Sequence, residues 1–275
     1  MNKEIEKDLT DTIKLNDDDI AFFRKNGFIK LKNILSPDTV NYMNETISSE
    51  VTRLNTQHIP MDQRDTYGKA FLQIMNIWTK SETVKTISFS KKLASLASQL
   101  LDVSGVRMYH DQALFKEPSG GHTPWHADQY YWPLSSDRTV TVWIPLQATP
   151  LKLGPLEFSQ GSQALTLGRD KKISDESEAL LAKTLRINDF PHIVEPFDIG
   201  EVSYHLGWLY HRAGPNTTDK MRAVMTVIYM DKDVKLKQPE NENQVADWNT
   251  WCPGVKVGEV VDSELNPVLY ENRIN

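Results

Sequence analysis

The sequence predicts a mainly β protein, a barrel or jelly roll with a helical layer packed outside at its N-terminal end. Up to Leu101 the apolar residues recur at three- and four-residue spacings between helix caps. From Val106 to Met230 they fall in strand-like runs separated by glycine, proline and Asn/Asp/Ser turn signals. A length of 275 residues suits one large β domain, or one core with insertions.

The elements follow in order. Residues 1–15 read as a flexible N-terminal arm, and residues 16–275 as a single domain with its jelly-roll core over about 105–232. Asn16 is a good helix N-cap, the acidic Asp17–Asp19 suit a helix's first turn, and Gly27 ends that short helix. Phe28–Ile34 reads as a strand. Ser36 before Pro37 starts an amphipathic helix, with Val40, Met43, Ile47, Val51 and Leu54 on one face. Residues 55–80 look irregular, and Lys91–Leu101 is a further helix. Strands are expected over Val106–Phe115, Arg138–Ala148, Leu185–Ile199, Glu201–Leu206 and Arg222–Met230, with one helix at Ser174–Thr184. After Asp231 the tail turns polar and irregular, and Trp248, Trp251 and Pro253 are its docking points.

Composition narrows the function. There are 31 basic and 37 acidic residues, a net charge of −6, and no basic stripe, which argues against nucleic acid. The single cysteine, Cys252, permits no intramolecular disulfide and fits a reducing compartment. The N-terminus has no apolar signal core, and no apolar run approaches the ~20 residues that span a bilayer. A cytoplasmic protein without a membrane part is expected.

Two segments carry chemistry. In Gly121-His122-Thr123-Pro124-Trp125-His126-Ala127-Asp128, His126 and Asp128 are two apart, so on an extended chain they share a face. Such a pair alone is a weak signal. In Gly207–Asn216, His211 ends a strand-like stretch, and Arg222 opens the apolar strand that returns beside it. Two histidines and a carboxylate with open positions make the facial triad of non-haem Fe(II) oxygenases. A keto acid chelating there needs a fixed cation for its far carboxylate. Arginine suits that role because its planar fork grips a carboxylate bidentately and stays charged when buried.

On Thr123–Leu134 (TPWHADQYYWPL), Val142–Leu146 (VWIPL), Gly154–Gln163 (GPLEFSQGSQ) and Gly200–Asn216 (GEVSYHLGWLYHRAGPN), with Arg222 eleven residues after His211, the chain resembles the phytanoyl-CoA dioxygenase (PhyH) family of Fe(II)/2-oxoglutarate oxygenases. The resemblance runs over roughly Asp17–Met230. It implies a double-stranded β-helix, also called a jelly roll, with iron held by His126, Asp128 and His211 and with 2-oxoglutarate and dioxygen as co-substrates. It implies Arg222 as the anchor of the distal carboxylate and Trp143 in the co-substrate cavity. It points to Gln73 and Met108 as further co-substrate contacts, and to Trp132 and Tyr130 as substrate-facing aromatics. The expected outcome is hydroxylation of a small-molecule metabolite, since Asp128 stands where the related halogenases carry alanine or glycine. No basic cluster suits the phosphates of coenzyme A. Two departures stand out: Gln163 follows Gly161-Ser162 where histidine is frequent, and Ala213 replaces a small polar residue. His58, His110, His122, His192 and His205 are read as structural or solvated, and residues 164–192 as a candidate lid. The rival reading is a cupin-like jelly-roll metalloenzyme, which needs no keto-acid anchor at Arg222.

Overall fold

The computed structural model describes residues 1–272. Helices α1 (Lys3–Thr10) and α2 (Asp17–Asn26) precede strand β1 (Phe28–Leu31) and helix α3 (Pro37–Leu54). Helix α4 (Thr66–Ala70), strand β2 (Leu72–Met75), and helices α5 (Glu82–Ser88) and α6 (Lys91–Leu101) come next. The strand-rich part comprises β3 (Gly105–Phe115), β4 (Thr123–His126), β5 (Thr139–Pro145) and β6 (Leu156–Ser159). After helix α7 (Asp175–Ile187) come β7 (His192–Val194), β8 (Val202–Leu206), β9 (His211–Ala213) and β10 (Val224–Asp231). Helix α8 (Glu242–Trp251) and strand β11 (Val268–Glu271) close the chain.

The strands form two antiparallel sheets, the two layers of a jelly roll. The larger has the order β1-β8-β5-β10-β3-β11, with β2 also paired to β3; the smaller is β4-β9-β6-β7. Alternation along the central strands decides what each face meets. Val140, Val142 and Ile144 of β5, Val202 and Tyr204 of β8, and Met225, Val227 and Tyr229 of β10 pack with Leu93, Leu96 and Ala97 of α6 and Val40, Met43 and Ile47 of α3 in one buried core. Each Val, Leu, Ile or Met side chain among them contributes about 1.5–3 kcal/mol by leaving water. The opposite face carries Thr141, Trp143, His205, Thr226 and Ile228 into the space between the sheets.

Local signals agree with the elements they start. Asn16 caps α2 by accepting from Asp19 N, and Gly27 ends it at φ 79°, a conformation that favours glycine. Ser36 caps α3 with Pro37 at its first position.

Four sequence expectations change. The arm over residues 1–15 contains α1, whose Ile5 and Leu9 are buried in the main core; its period is helical and its apolar face has a partner. Residues 55–80 hold α4 and β2 rather than irregular chain only. The strand expected over Leu185–Ile199 shrinks to β7, because α7 runs on to Ile187. The tail beyond Asp231 is not irregular: it forms α8, capped by Asn241, and Trp248 and Trp251 pack on a second core that includes Tyr109, Trp132 and Cys252. No helix among the described residues is long and apolar enough to cross a membrane.

Candidate active site

A cavity of about 620 Å³ opens between the two sheets. His126 ends β4 and His211 begins β9, and these two residues are direct cross-strand partners. Their rings lie 4.2 Å apart, centre to centre. Asp128 opens the one-turn helix that follows β4, held there by the hydrogen bond from Gln129 N to Gly207 O. Asp128 Oδ1 lies 3.5 Å from His126 Nε2 and 3.6 Å from His211 Nε2. Ligand atoms of the three residues fall within 4.8 Å of one another, close enough to share one metal ion.

Their surroundings prepare them for that task. His126 Nδ1 faces Pro124 O at 2.7 Å and His211 Nδ1 faces Leu209 O at 3.0 Å, which fixes Nδ1 as the protonated nitrogen and leaves both Nε2 lone pairs inward. Burial, with His126 and His205 nearby, holds the His211 imidazole well below its ordinary pKa and therefore neutral. Burial alone raises the Asp128 carboxyl, yet His211, His126 and His205 together hold it well below the usual carboxylate range. Asp128 Oδ2 accepts from Thr141 Oγ1 at 3.2 Å and meets His205 Nε2 at 3.4 Å, so the second carboxylate oxygen is engaged away from the shared point.

Arg222 stands just before β10, bridged to Lys116, and is 1% exposed. Its Nη1 donates to Gly154 O at 2.6 Å, its guanidinium lies 5.7 Å from the Trp143 ring centre, and its Nε has no partner among the described residues. Among the described residues no carboxylate pairs with it. Burial pushes its pKa down to about 9, and it still carries a full charge at neutral pH. An unpaired buried charge is costly, so a ligand carboxylate is the expected complement. Gly154 adopts φ 70°, and a Cβ there would meet Gly214 O at 2.3 Å, so glycine is what lets this carbonyl reach the arginine.

The structure brings most of the expected residues together. His126, Asp128, His211, Arg222, Trp143, Gln73 and Trp132 all line the one cavity. Gln73 accepts from Tyr67 Oη at 2.8 Å and donates to Gln112. Two residues do not join them. Met108 is fully buried in the core under the helices; a bulge at Tyr109, where Ile228 pairs with His110 but Tyr229 with Met108, turns it to the other face. Tyr130 lies outside the lining, its hydroxyl accepting from Asn243 Nδ2 at 3.1 Å, and its neighbour Tyr131 lines the cavity instead.

Sequence reading missed several lining residues. His205 and Thr141 were legible in principle, because Glu201–Leu206 and Thr139–Pro145 alternate and put these side chains opposite Tyr204 and Val142. His110, read as structural or solvated, lines the cavity too, as do Asn243, Ala246, Asp247, Thr250 and Trp251 of α8. Of residues 164–192, only Lys172 and Ile173 reach the cavity; α7 packs Leu181 and Leu185 against Trp125, Ala127 and Tyr210.

Comparison with known proteins adds the relatives. The chain is 22% identical over 159 residues to a probable alpha-ketoglutarate-dependent hypophosphite dioxygenase of Stutzerimonas stutzeri. That match covers 55% of this chain and 54% of that protein, so the chain spans about half the length of the curated relative it matches. The non-heme alpha ketoglutarate dependent carbocyclase SnoK from nogalamycin biosynthesis superposes with a TM-score of 0.75 at 20% identity, over 94% of this chain and 97% of that one. EctD from S. alaskensis, solved with 2-oxoglutarate and 5-hydroxyectoine, gives 0.65 at 20% identity, over 84% and 83%. These structural likenesses establish the fold as that of the jelly-roll 2-oxoglutarate oxygenases. The family model for phytanoyl-CoA dioxygenase (PhyH) matches residues 23–224, and the chain belongs to that family.

Proposed function

We propose that this chain is an Fe(II)- and 2-oxoglutarate-dependent dioxygenase that hydroxylates a C–H bond of a small-molecule metabolite, with one atom of dioxygen entering the product and the other entering succinate, alongside CO2. The observation that carries this reading is the pairing, in one cavity, of the His126–Asp128–His211 cluster with a buried arginine that has no carboxylate of its own. A cupin-like metalloenzyme has no use for that arginine.

In this reading His126 Nε2, His211 Nε2 and Asp128 Oδ1 hold the iron, and the donor set of two imidazoles and one carboxylate suits it. When bound, iron and 2-oxoglutarate together supply the activation of dioxygen. The chain's own contribution is geometry and exclusion of water. Arg222 receives the far carboxylate of the keto acid, with Trp143 beside its guanidinium. Thr141 and His205 restrain the second oxygen of Asp128, so that the carboxylate presents Oδ1. Trp132, Tyr131 and Trp251 contribute aromatic walls to the same cavity. We place the enzyme in the cytoplasm, on the strength of its single, buried and unpaired cysteine.

The test is a coupled assay for succinate with Fe(II), 2-oxoglutarate and air, run without added substrate to detect uncoupled turnover. The wild type releases succinate slowly and iron-dependently, and His211→Ala abolishes it. A wild type that binds iron but never consumes 2-oxoglutarate, alone or with a metabolite panel, sinks the proposal.

A further inference from the structure

The reading above gives roles to the metal-ligand cluster, to Arg222 and to three aromatic residues, but none to the polar residues of helix α8 that line the same cavity. Helix α8 lies beyond residue 224, where the family match stops. Asn243, Ala246, Asp247 and Thr250 follow the i, i+3, i+4, i+7 spacing of one helical face, and all four line the cavity together with Trp251. A helix that merely plugs a barrel mouth turns an apolar stripe inward. This stripe is small and polar. Attachment comes from other residues: Gln244 Nε2 donates to Tyr130 O at 3.0 Å, Trp248 Nε1 donates to Val255 O at 2.8 Å, and Trp248 packs on the core around Cys252. The helix is a fixed wall.

Its chemistry centres on Asp247. Tyr109 Oη donates to Asp247 Oδ2 at 3.0 Å, and Tyr109, fully buried, is pushed well above the ordinary phenol pKa by burial and then by Asp247, so it remains a donor. Among the described residues Asp247 has no cationic partner, and burial pushes its carboxyl up to about 7 against the lowering hydrogen bond from Tyr109, so a cation bound beside it is what would hold it fully ionised. The other charged lining groups are committed: Asp65 caps α4 through Gly68 N, and Arg212 pairs with Glu157 and Glu178. Lys172 sits exposed at the rim. His110 is 4% exposed, its ring 5.1 Å from Trp251 and 5.2 Å from Tyr109, and its Nδ1 has no partner among the described residues. Burial keeps that imidazole neutral, with its pKa lowered to about 4, so it adds no competing positive charge.

We propose that the part of the cavity lined by helix α8 recognises a protonated amine: Asp247 binds the ammonium group, and Trp132, Tyr131 and Trp251 enclose the carbon skeleton that carries it. Aromatic faces beside a carboxylate are the chemistry that favours an organic cation over a neutral or anionic molecule of the same shape. The assignment of this ligand as the substrate rests on the dioxygenase reading; the binding itself does not.

The test uses three probes of one shape, benzylamine, benzyl alcohol and benzoate, titrated calorimetrically into full-length protein loaded anaerobically with Fe(II) and 2-oxoglutarate, and again into metal-free Arg222→Met protein, in which benzoate has no guanidinium to bind. Benzylamine is expected to bind roughly tenfold or more tightly than either analogue, as a charge-assisted hydrogen bond allows. Asp247→Asn, and separately Thr250→Lys one helical turn away, are expected to bring the three probes within about threefold of one another. Equal binding of the three probes, a preference for benzyl alcohol or benzoate, no saturable benzylamine binding, or a preference that survives both variants overturns the proposal. The visible charge-transfer band of the loaded protein reports separately on the dioxygenase reading: its absence with the amine preference intact rejects only that reading. The wild-type comparison stands even if a variant fails to fold.

Discussion

Replacing Arg222 by methionine separates what this residue does for a ligand from what it does for the fold. The guanidinium is 1% exposed, faces the cavity, and spends one bond on Gly154 O. A carboxylate gripped by its fork gains two charge-assisted hydrogen bonds, each worth about 1.5–3 kcal/mol. Losing both, about 3–6 kcal/mol together, weakens 2-oxoglutarate binding by roughly a hundredfold to ten-thousandfold or more. Stability moves far less. The lost charge-assisted bond to Gly154 O costs about 1.5–3 kcal/mol, and removing an unpaired buried charge offsets much of it, so the variant stays within about 2 kcal/mol of the wild type. Arg222→Lys keeps the charge without the fork and falls between the two. Anaerobic calorimetry of 2-oxoglutarate into the Fe(II)-loaded protein measures the first quantity, and urea unfolding the second. An affinity within about threefold of wild type in Arg222→Met refutes the anchor role. A collapse of stability with affinity intact refutes the reasoning about the unpaired charge.

Three further outcomes are expected. Leu9→Ala costs about 2–4 kcal/mol in urea unfolding, because Leu9 is 1% exposed in the main core; a neutral result returns residues 1–15 to the status of a loose arm. Gly154→Ala destabilises by about 1–3 kcal/mol and also weakens 2-oxoglutarate binding, since a Cβ 2.3 Å from Gly214 O must displace the carbonyl that positions Arg222. His110 has an ordinary pKa of 6.5 and is lowered to about 4 in the fold by burial, so the unfolded chain takes up the proton first. Its contribution is present above pH 6.5 and is lost as pH falls towards 4, by about 3 kcal/mol in all. His110→Phe therefore flattens the acid limb of the stability curve measured by urea unfolding between those pH values, and an unchanged limb contradicts the assignment.

The jelly roll was legible because the two periodicities occupy different stretches of chain. Val40, Met43 and Ile47 repeat at helix spacing, while Val140, Val142 and Ile144 alternate, and both sets meet in the same core. His126 was legible from its local motif, on the extended segment β4 that it ends, whereas His211, expected at the end of a strand, instead begins β9 after the turn at residues 207–209. What escaped notice depended on partners far away in sequence. Met108 was expected in the cavity, but the bulge at Tyr109 turns it to the other face, and a bulge is set by pairing with Ile228 and Tyr229. The helical stripe of α8 is visible in the sequence, yet its polar face predicts a solvated helix unless the cavity beneath it is known. Ile5 and Leu9 alone could not announce that α3 and α6 offer them a surface.

The most direct test of the central claim is anaerobic titration of the metal-free protein with Fe(II) and then 2-oxoglutarate, followed by visible absorption. The account predicts a charge-transfer band that requires both additions, is absent in His211→Ala, and appears in Arg222→Met only at much higher 2-oxoglutarate. Iron binding without any such band contradicts the role given to 2-oxoglutarate, and failure to bind iron contradicts the metal site built from His126, Asp128 and His211.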